Sequence, residues 1–195
     1  MKIIFLKNGP EAKPLIDWLR SIKEDVIVVS KRLSIKDIHL HKPQMVISYN
    51  YRFIITKDVL KLLPGKYINL HISYLPWNRG THPNLWSFLV NTPKGVTIHL
   101  IDKGVDTGDI LVQKKVTFKS DMETLASTYR RLHLEIQKLF MANWNKIKEY
   151  KIKPQPQPPG GSRHYLKDFV KIQKVLTDKG WQTTIKELHT NFNEN

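Results

Sequence analysis

An amide, an imidazole and a hydroxyl stand two residues apart at Asn69, His71 and Ser73, inside the stretch Asn69-Leu-His-Ile-Ser-Tyr-Leu-Pro-Trp-Asn-Arg-Gly80. The apolar run Tyr67 to Leu70 reads as a strand, and side chains two apart on a strand leave it on the same face. The residues that follow, among them Pro76, Asn78 and Gly80, are those of turns. A strand whose carboxyl end opens into such a loop is where open α/β sheets bind ligands. A second stretch, Asp102-Lys-Gly-Val-Asp106-Thr-Gly-Asp109, sets three carboxylates around two glycines. Alone, it is the composition of a tight turn. Beside Asn69 and His71 it gains a chemical reading, because a carboxylate orients an imidazole and favours its charged form. An amide N–H can also donate to a developing oxyanion. Amide, imidazole and carboxylate together suit acyl transfer to an amine, where the substrate supplies the nucleophile. There is no cysteine, which excludes thiolate nucleophiles, thiolate zinc sites and disulfides.

The elements that must position these groups alternate. Residues 2–6, 26–29, 45–48, 67–70 and 96–101 read as strands, apolar and rich in β-branched residues. Between them, Glu11 to Lys23 carries Leu15, Trp18, Leu19 and Ile22 at helical spacing. Ser34-Ile-Lys-Asp37 has the spacing of a capping box, Thr56 precedes a helix over 57–63, and Pro83 suits the first turn of a helix over 82–90. Residues 110–118 read as a further strand, paired antiparallel to its neighbour. A helix opened by Ser120-Asp-Met-Glu123 carries one apolar stripe through Leu125, Tyr129, Leu132, Ile136, Leu139, Trp144 and Ile147. The pattern predicts a Rossmann-like α/β domain over 1–150, with a mainly parallel sheet and helices on both faces. A linker rich in proline and glycine is expected over 151–161, and a short C-terminal extension over 162–195, with helices near 169–176 and after Thr183 or Thr184.

The chain has 195 residues, 41% of them hydrophobic, enough for a real core. No run approaches a membrane span and the N-terminal apolar run is too short for a signal peptide, so a cytoplasmic protein is expected. The formal net charge of +15 favours acidic ligands, and its even spread speaks for a solvated surface over a nucleic-acid patch. There is no G-x-G-x-x-G and no P-loop. His39 and His41 lack a third ligand at a standard spacing, so no metal is expected. His82 lies near the proposed site, and His99 reads as a packed strand residue.

Between Met45 and Val116 the chain resembles the formyltetrahydrofolate-dependent formyltransferases. The motif Asn-x-His-x-Ser-x-Leu-Pro appears as Asn69 to Pro76, followed after about 30 residues by the Asp-x-Gly loop at Asp106-Thr-Gly108. The resemblance implies 10-formyltetrahydrofolate as formyl donor. It implies that Asn69 and His71 polarise the formyl oxygen while Asp106 holds His71 and assists proton transfer. The folate cleft would be lined by Tyr51, Arg52, Phe53 and Ile54 and by Asp102, Lys103, Gly104 and Val105. The segment from Trp77 to Gly80, with Pro83-Asn-Leu-Trp86, is most similar to the sugar-nucleotide N-formyltransferases. Ser73, Trp77, Asn78, Arg79 and His82 would then meet a nucleotide-linked amino-deoxysugar. Members of that group are often dimers, and the 110–118 strand or the tail is the segment that would pair.

Two departures separate the chain from its siblings. Glycinamide ribonucleotide enzymes carry a glycine- and serine-rich phosphate loop after the first strand, where this chain has Lys7-Asn-Gly-Pro-Glu11. Methionyl-tRNA enzymes carry a C-terminal β-barrel, whereas about 40 residues follow Pro154 here. Transfer to another small amine, such as glycinamide ribonucleotide, is the alternative within the enzyme class. The charge motivates a reading of another class, a basic nucleic-acid-binding domain.

Overall fold

Short β-branched runs become strands wherever helical periodicity is missing. The computed structural model describes residues 1–119 and 121–193. In chain order it contains β1 (Lys2–Leu6), α1 (Lys13–Ser21), β2 (Asp25–Val29), α2 (Ile35–His41), β3 (Met45–Tyr49), α3 (Lys57–Leu60) and β4 (Tyr67–His71). These are followed by β5 (Arg79–Gly80), α4 (Pro83–Leu89), β6 (Gly95–Leu100), β7 (Ile110–Lys115), α5 (Leu125–Lys148), β8 (Arg163–His164), α6 (Leu166–Ile172) and α7 (Ile185–Asn193).

Six strands form one sheet in the order β2-β1-β3-β4-β6-β7. The first four are parallel, with Ile4 level with Ile27 and Val46, and Ser48 level with Asn69. The sense then reverses. Ile101 N–H donates to Tyr67 O, while His99 lies beside Asn69, so β6 descends as β4 ascends. β7 reverses again, since Leu100 N–H donates to Asp109 O and Val116 N–H to Lys94 O. The sheet is mainly parallel, as its sequence pattern predicts, with the crossover helices that parallel strands require.

The chain forms two compact units, residues 1–71, 98–112 and 137–157, and residues 72–97, 113–136 and 158–195. In the first, Ile4, Leu6, Val46 and Tyr67 from the strands pack with Ile38 of α2 and Val59 of α3. Leu15 and Leu19 of α1 and Phe140 and Trp144 of α5 are also fully buried, and Trp18 of α1 meets Phe140 edge-on with ring centroids 6.2 Å apart. In the second unit, Leu85, Trp86 and Phe88 of α4 pack with Leu125, Val175, Ile185 and Leu188.

Caps fix the helix starts. At α2, Ser34 Oγ accepts from the Asp37 N–H at 3.3 Å, and Asp37 Oδ2 accepts from the Ser34 N–H at 2.9 Å. Burial pushes the Asp37 carboxyl up, but the bonds from Ser34 and the nearby Lys31 outweigh it and hold it below its usual value. A carboxyl made more acidic by folding stabilises above its unfolded pKa of 3.8, and that stability is lost as pH falls through the folded value. Ser34→Ala is therefore expected to cost about 1 kcal/mol at neutral pH. The difference in thermal midpoint from wild type should shrink once the medium is acidic enough to protonate Asp37. The expected Ser120 cap of α5 lies outside the described residues. That helix starts at Leu125, behind a reciprocal pair in which Thr124 N–H donates to Ser127 Oγ and Ser127 N–H to Thr124 Oγ1.

Candidate active site

β4 presents Asn69 and His71 on one side, as their spacing requires. Asn69 Nδ2 donates to Asp106 Oδ1 at 3.1 Å. His71 Nδ1 lies 3.8 Å from Asp106 Oδ2, with the imidazole buried. Three groups separated by up to 37 residues in sequence thus converge inside the first unit.

His99, expected to be a packed strand residue, belongs to this cluster. It is buried, and its Nε2 lies 3.4 Å from Asp106 Oδ1 and 3.2 Å from Asn69 Nδ2. Its Nδ1 is 2.7 Å from Leu100 O. A carbonyl only accepts, so Nδ1 donates to it, which leaves Nε2 facing both the Asn69 amide and the Asp106 carboxylate. His99 is packed in its strand as expected, and its place in the cluster depends on β6 running opposite β4, which one strand's alternation does not reveal. The Val96-Thr-Ile-His99 alternation places a polar group on one face but not the partner facing it.

The carboxylate loop explains its own glycines. Asp102 Oδ1 accepts from the Gly104 N–H at 2.9 Å and the Thr107 hydroxyl at 2.6 Å, closing a local turn. Asp106 has φ 54°, in the left-handed region that Asp tolerates better than most residues. A Cβ on Gly108 would fall 1.9 Å from Leu100 O, so only glycine lets the loop lie against β6. The loop is also clamped from outside, since Gln157 Nε2 donates to Asp106 O at 2.8 Å and to Gly108 O at 2.9 Å. Gln155 exchanges two backbone bonds with Ile110, of 2.8 and 2.9 Å. The segment expected as a linker is extended and, through these residues, bonded to the Asp102–Asp109 loop. Gln157→Ala removes two neutral hydrogen bonds and is expected to cost about 1–2 kcal/mol. Denaturant unfolding measures that cost, with turnover falling as Asp106 loses its register.

The residues expected around a folate are also in the first unit. Tyr51 OH donates to Lys31 O at 2.7 Å and accepts from the Leu33 N–H at 2.9 Å, while burial pushes its phenol up. Phe53 meets Tyr51 edge-on, with the guanidinium groups of Arg32 and Arg52 5.5 and 5.3 Å from its ring. Ile54 is exposed, and Asp102 to Val105 form the turn described above. Phe53 is thus an aromatic face flanked by two cations in the same unit as the Asn-His-Asp cluster.

The expected substrate residues lie in the second unit. Two of them face inward. Ser73 is buried and its hydroxyl donates to Trp77 O. Asn78 is fully buried, with Nδ2 on Thr92 Oγ1 at 2.8 Å and Oδ1 accepting from Ser162 Oγ at 3.1 Å. Both order the loop in place of presenting a group to a ligand. An amide in a turn reads as ligand-facing in sequence, and only burial shows otherwise. Trp77 and Arg79 are half-buried, and His82 sits before α4 with φ 53°.

A family model described as formyl transferase matches residues 30–143. The chain belongs to the formyl transferase family. A methionyl-tRNA formyltransferase of Thermodesulfovibrio yellowstonii is 34% identical over 125 residues, covering 63% of this chain and 40% of that protein. One from Clostridium botulinum is 30% identical over 169 residues, covering 86% of this chain and 51% of that protein. The chain thus spans about half the length of the curated relatives it matches. Among solved structures, the formyltransferase PseJ of Anoxybacillus kamchatkensis is 48% identical, with a TM-score of 0.89 over 96% of this chain and 97% of that one. That protein was crystallised with UDP-4,6-dideoxy-4-formamido-L-AltNAc and tetrahydrofolate. A sugar N-formyltransferase from Shewanella shares the fold at 20% identity, with a TM-score of 0.81. In this family setting the Asn69–His71–His99–Asp106 cluster is the candidate for the acyl-transfer machinery.

Proposed function

We propose that the chain is a sugar N-formyltransferase that moves the formyl group of 10-formyltetrahydrofolate to the amine of a UDP-linked amino-deoxysugar. The observation that carries this reading is the end-to-end likeness, at 48% identity, to a formyltransferase crystallised with a UDP-linked 4-formamido sugar and tetrahydrofolate. The bound donor supplies an electrophilic formyl carbon. The chain's own residues do the rest. Asn69 and His71 donate toward the formyl oxygen as charge develops there. Asp106 would take up the proton that the attacking amine must lose and return it to the tetrahydrofolate nitrogen as the formyl C–N bond breaks, while His99 fixes the Asn69 amide and the Asp106 carboxylate in one geometry. For Asn69 to serve the formyl oxygen, one of its N–H groups must leave the Asp106 or His99 atom it faces in this structure.

The test is an assay of formyl transfer from 10-formyltetrahydrofolate to UDP- and dTDP-linked 3-amino and 4-amino sugars, read by mass spectrometry. Gain of one formyl group on a UDP-linked 4-amino sugar is the expected result. Transfer to methionyl-tRNA and to none of the sugars would overturn the reading in favour of the activity named for the curated relatives.

A further inference from the structure

One asparagine ties together the loops that leave β1, β2 and β3. In the order β2-β1-β3-β4 the chain passes from β1 to β2 on one side and returns to β3 on the other. The crevice between the carboxyl ends of β1 and β3 is therefore the switch point at which open α/β sheets take ligands. Here the protein fills that crevice with its own groups. Asn8, two residues beyond β1, donates its backbone N–H to Asn50 O at 3.0 Å. Its Oδ1 accepts from the Arg52 N–H at 2.9 Å, and its Nδ2 donates to Ser30 O, just after β2, also at 2.9 Å.

A second tie runs beside the first. Asn50 follows β3 with φ 51°, and its Nδ2 donates to Glu11 Oε2 at 2.9 Å. A Cβ on Gly9 would fall 1.9 Å from Glu11 Oε2 and 2.5 Å from Asn50 Nδ2, so glycine leaves the room in which this pair meets. Pro10 has no N–H and Glu11 is anionic, so the turn after β1 is poorly made to hold an anion itself. Its polar groups serve the neighbouring loop.

That loop needs the support. Residues 50–56 form neither helix nor strand, and Asn50, Arg52 and Ile54 are exposed. Its Tyr51 hydroxyl is bonded to the segment after β2, as described above, and Phe53 stands between Arg32 and Arg52. An irregular exposed loop that had to order itself on binding would lose affinity by that cost, and a loop ordered beforehand does not. All these residues lie in the first unit.

We infer that Asn8 and Glu11 are positioning residues for the formyl donor. They do not touch it, but hold residues 50–53 in the arrangement that receives the folate. This rests on the reading of Tyr51 to Ile54 as lining the folate cleft, and it adds the residues that keep that cleft formed before the donor arrives.

The full chain would be titrated calorimetrically with tetrahydrofolate, alongside Asn8→Ala, Gly9→Ala and Glu11→Gln. Asn8→Ala is expected to weaken tetrahydrofolate about 10-fold, the effect of a loop that is competent about a tenth of the time. Gly9→Ala should weaken it by a smaller factor. Its φ of −96° suits alanine, so that substitution acts by displacing the Glu11–Asn50 pair and tests the inference even if Asn8→Ala does not fold. Glu11→Gln keeps an acceptor for the Asn50 amide and should bind as wild type does. At saturating 10-formyltetrahydrofolate, kcat of Asn8→Ala should stay within about threefold of wild type, so that the loss sits in the KM for the donor. Wild-type affinity for tetrahydrofolate in both Asn8→Ala and Gly9→Ala would overturn the inference and leave the formyltransferase reading standing. A lower thermal midpoint with donor KM unchanged would also overturn it, by showing a role in the fold alone. Absence of tetrahydrofolate binding to the wild type would remove both the inference and the donor assigned under the proposed function.

Discussion

Asn69→Ala is expected to lower kcat for formyl transfer by about 10²–10³-fold, the usual effect of deleting one oxyanion donor. The amide holds Asp106 and faces His99, so its loss also frees the carboxylate from one of its bonds. Asp106→Asn tests the other end of the same contact. The backbone there is left-handed, which asparagine tolerates at least as well as aspartate, so the fold should survive with its thermal midpoint near or above that of wild type. The proposed proton acceptor is gone, however, and the new amide can donate where the old carboxylate accepted. Activity should fall by at least the same factor while folate still binds. Single-turnover kinetics with prebound donor would separate chemistry from binding. Rates within about threefold of wild type, far short of that factor, would show that the cluster is structural only.

The second large effect is expected at Gly108. Its substitution by alanine puts a Cβ 1.9 Å from Leu100 O and 2.7 Å from Leu100 C, both backbone atoms of β6 and the residues following it. Neither can rotate away, so the loop must lift, with the Asp109-to-Leu100 bond of 2.8 Å. We expect a stability loss of about 3 kcal/mol, in the tail of what single substitutions do, and turnover lowered more than for Gln157→Ala. Gly104→Ala is the contrast. Its Cβ would meet only the Thr107 side chain, at 2.0 Å from Oγ1, which can turn aside at the cost of its bond to Asp102. Equal losses at the two glycines, compared by denaturant unfolding, would contradict the backbone argument.

Much of the framework was legible because each strand of the parallel set is a short apolar run between turn residues, and burial on both faces demands such runs. The alternation of Asn69 and His71 placed them together without any knowledge of neighbours. Legibility ended where partnership depended on register or depth. His99 needed the reversed sense of β6, and Asn78 needed its burial. β5 and β8 are two residues each, too short for any periodicity, and exist because Gly80 and Ser162 permit the chains to meet. Phe140, fully buried in α5, lies one residue from Leu139 on the helix, and the stripe alone does not say which of the two the sheet receives.

The clamp from Gln157 carries a consequence for the order in which the chain becomes competent. Asn69, His99 and Asp106 have all been synthesised long before residue 157, yet two carbonyls of the aspartate loop accept from that distant amide. Closing a contact across about 50 residues is entropically slow compared with the local turns around Asp102. A nascent or truncated chain lacking this segment would therefore hold the right functional groups on a loop without its final geometry. Maturation of the site would follow formation of the sheet as a separate, later event.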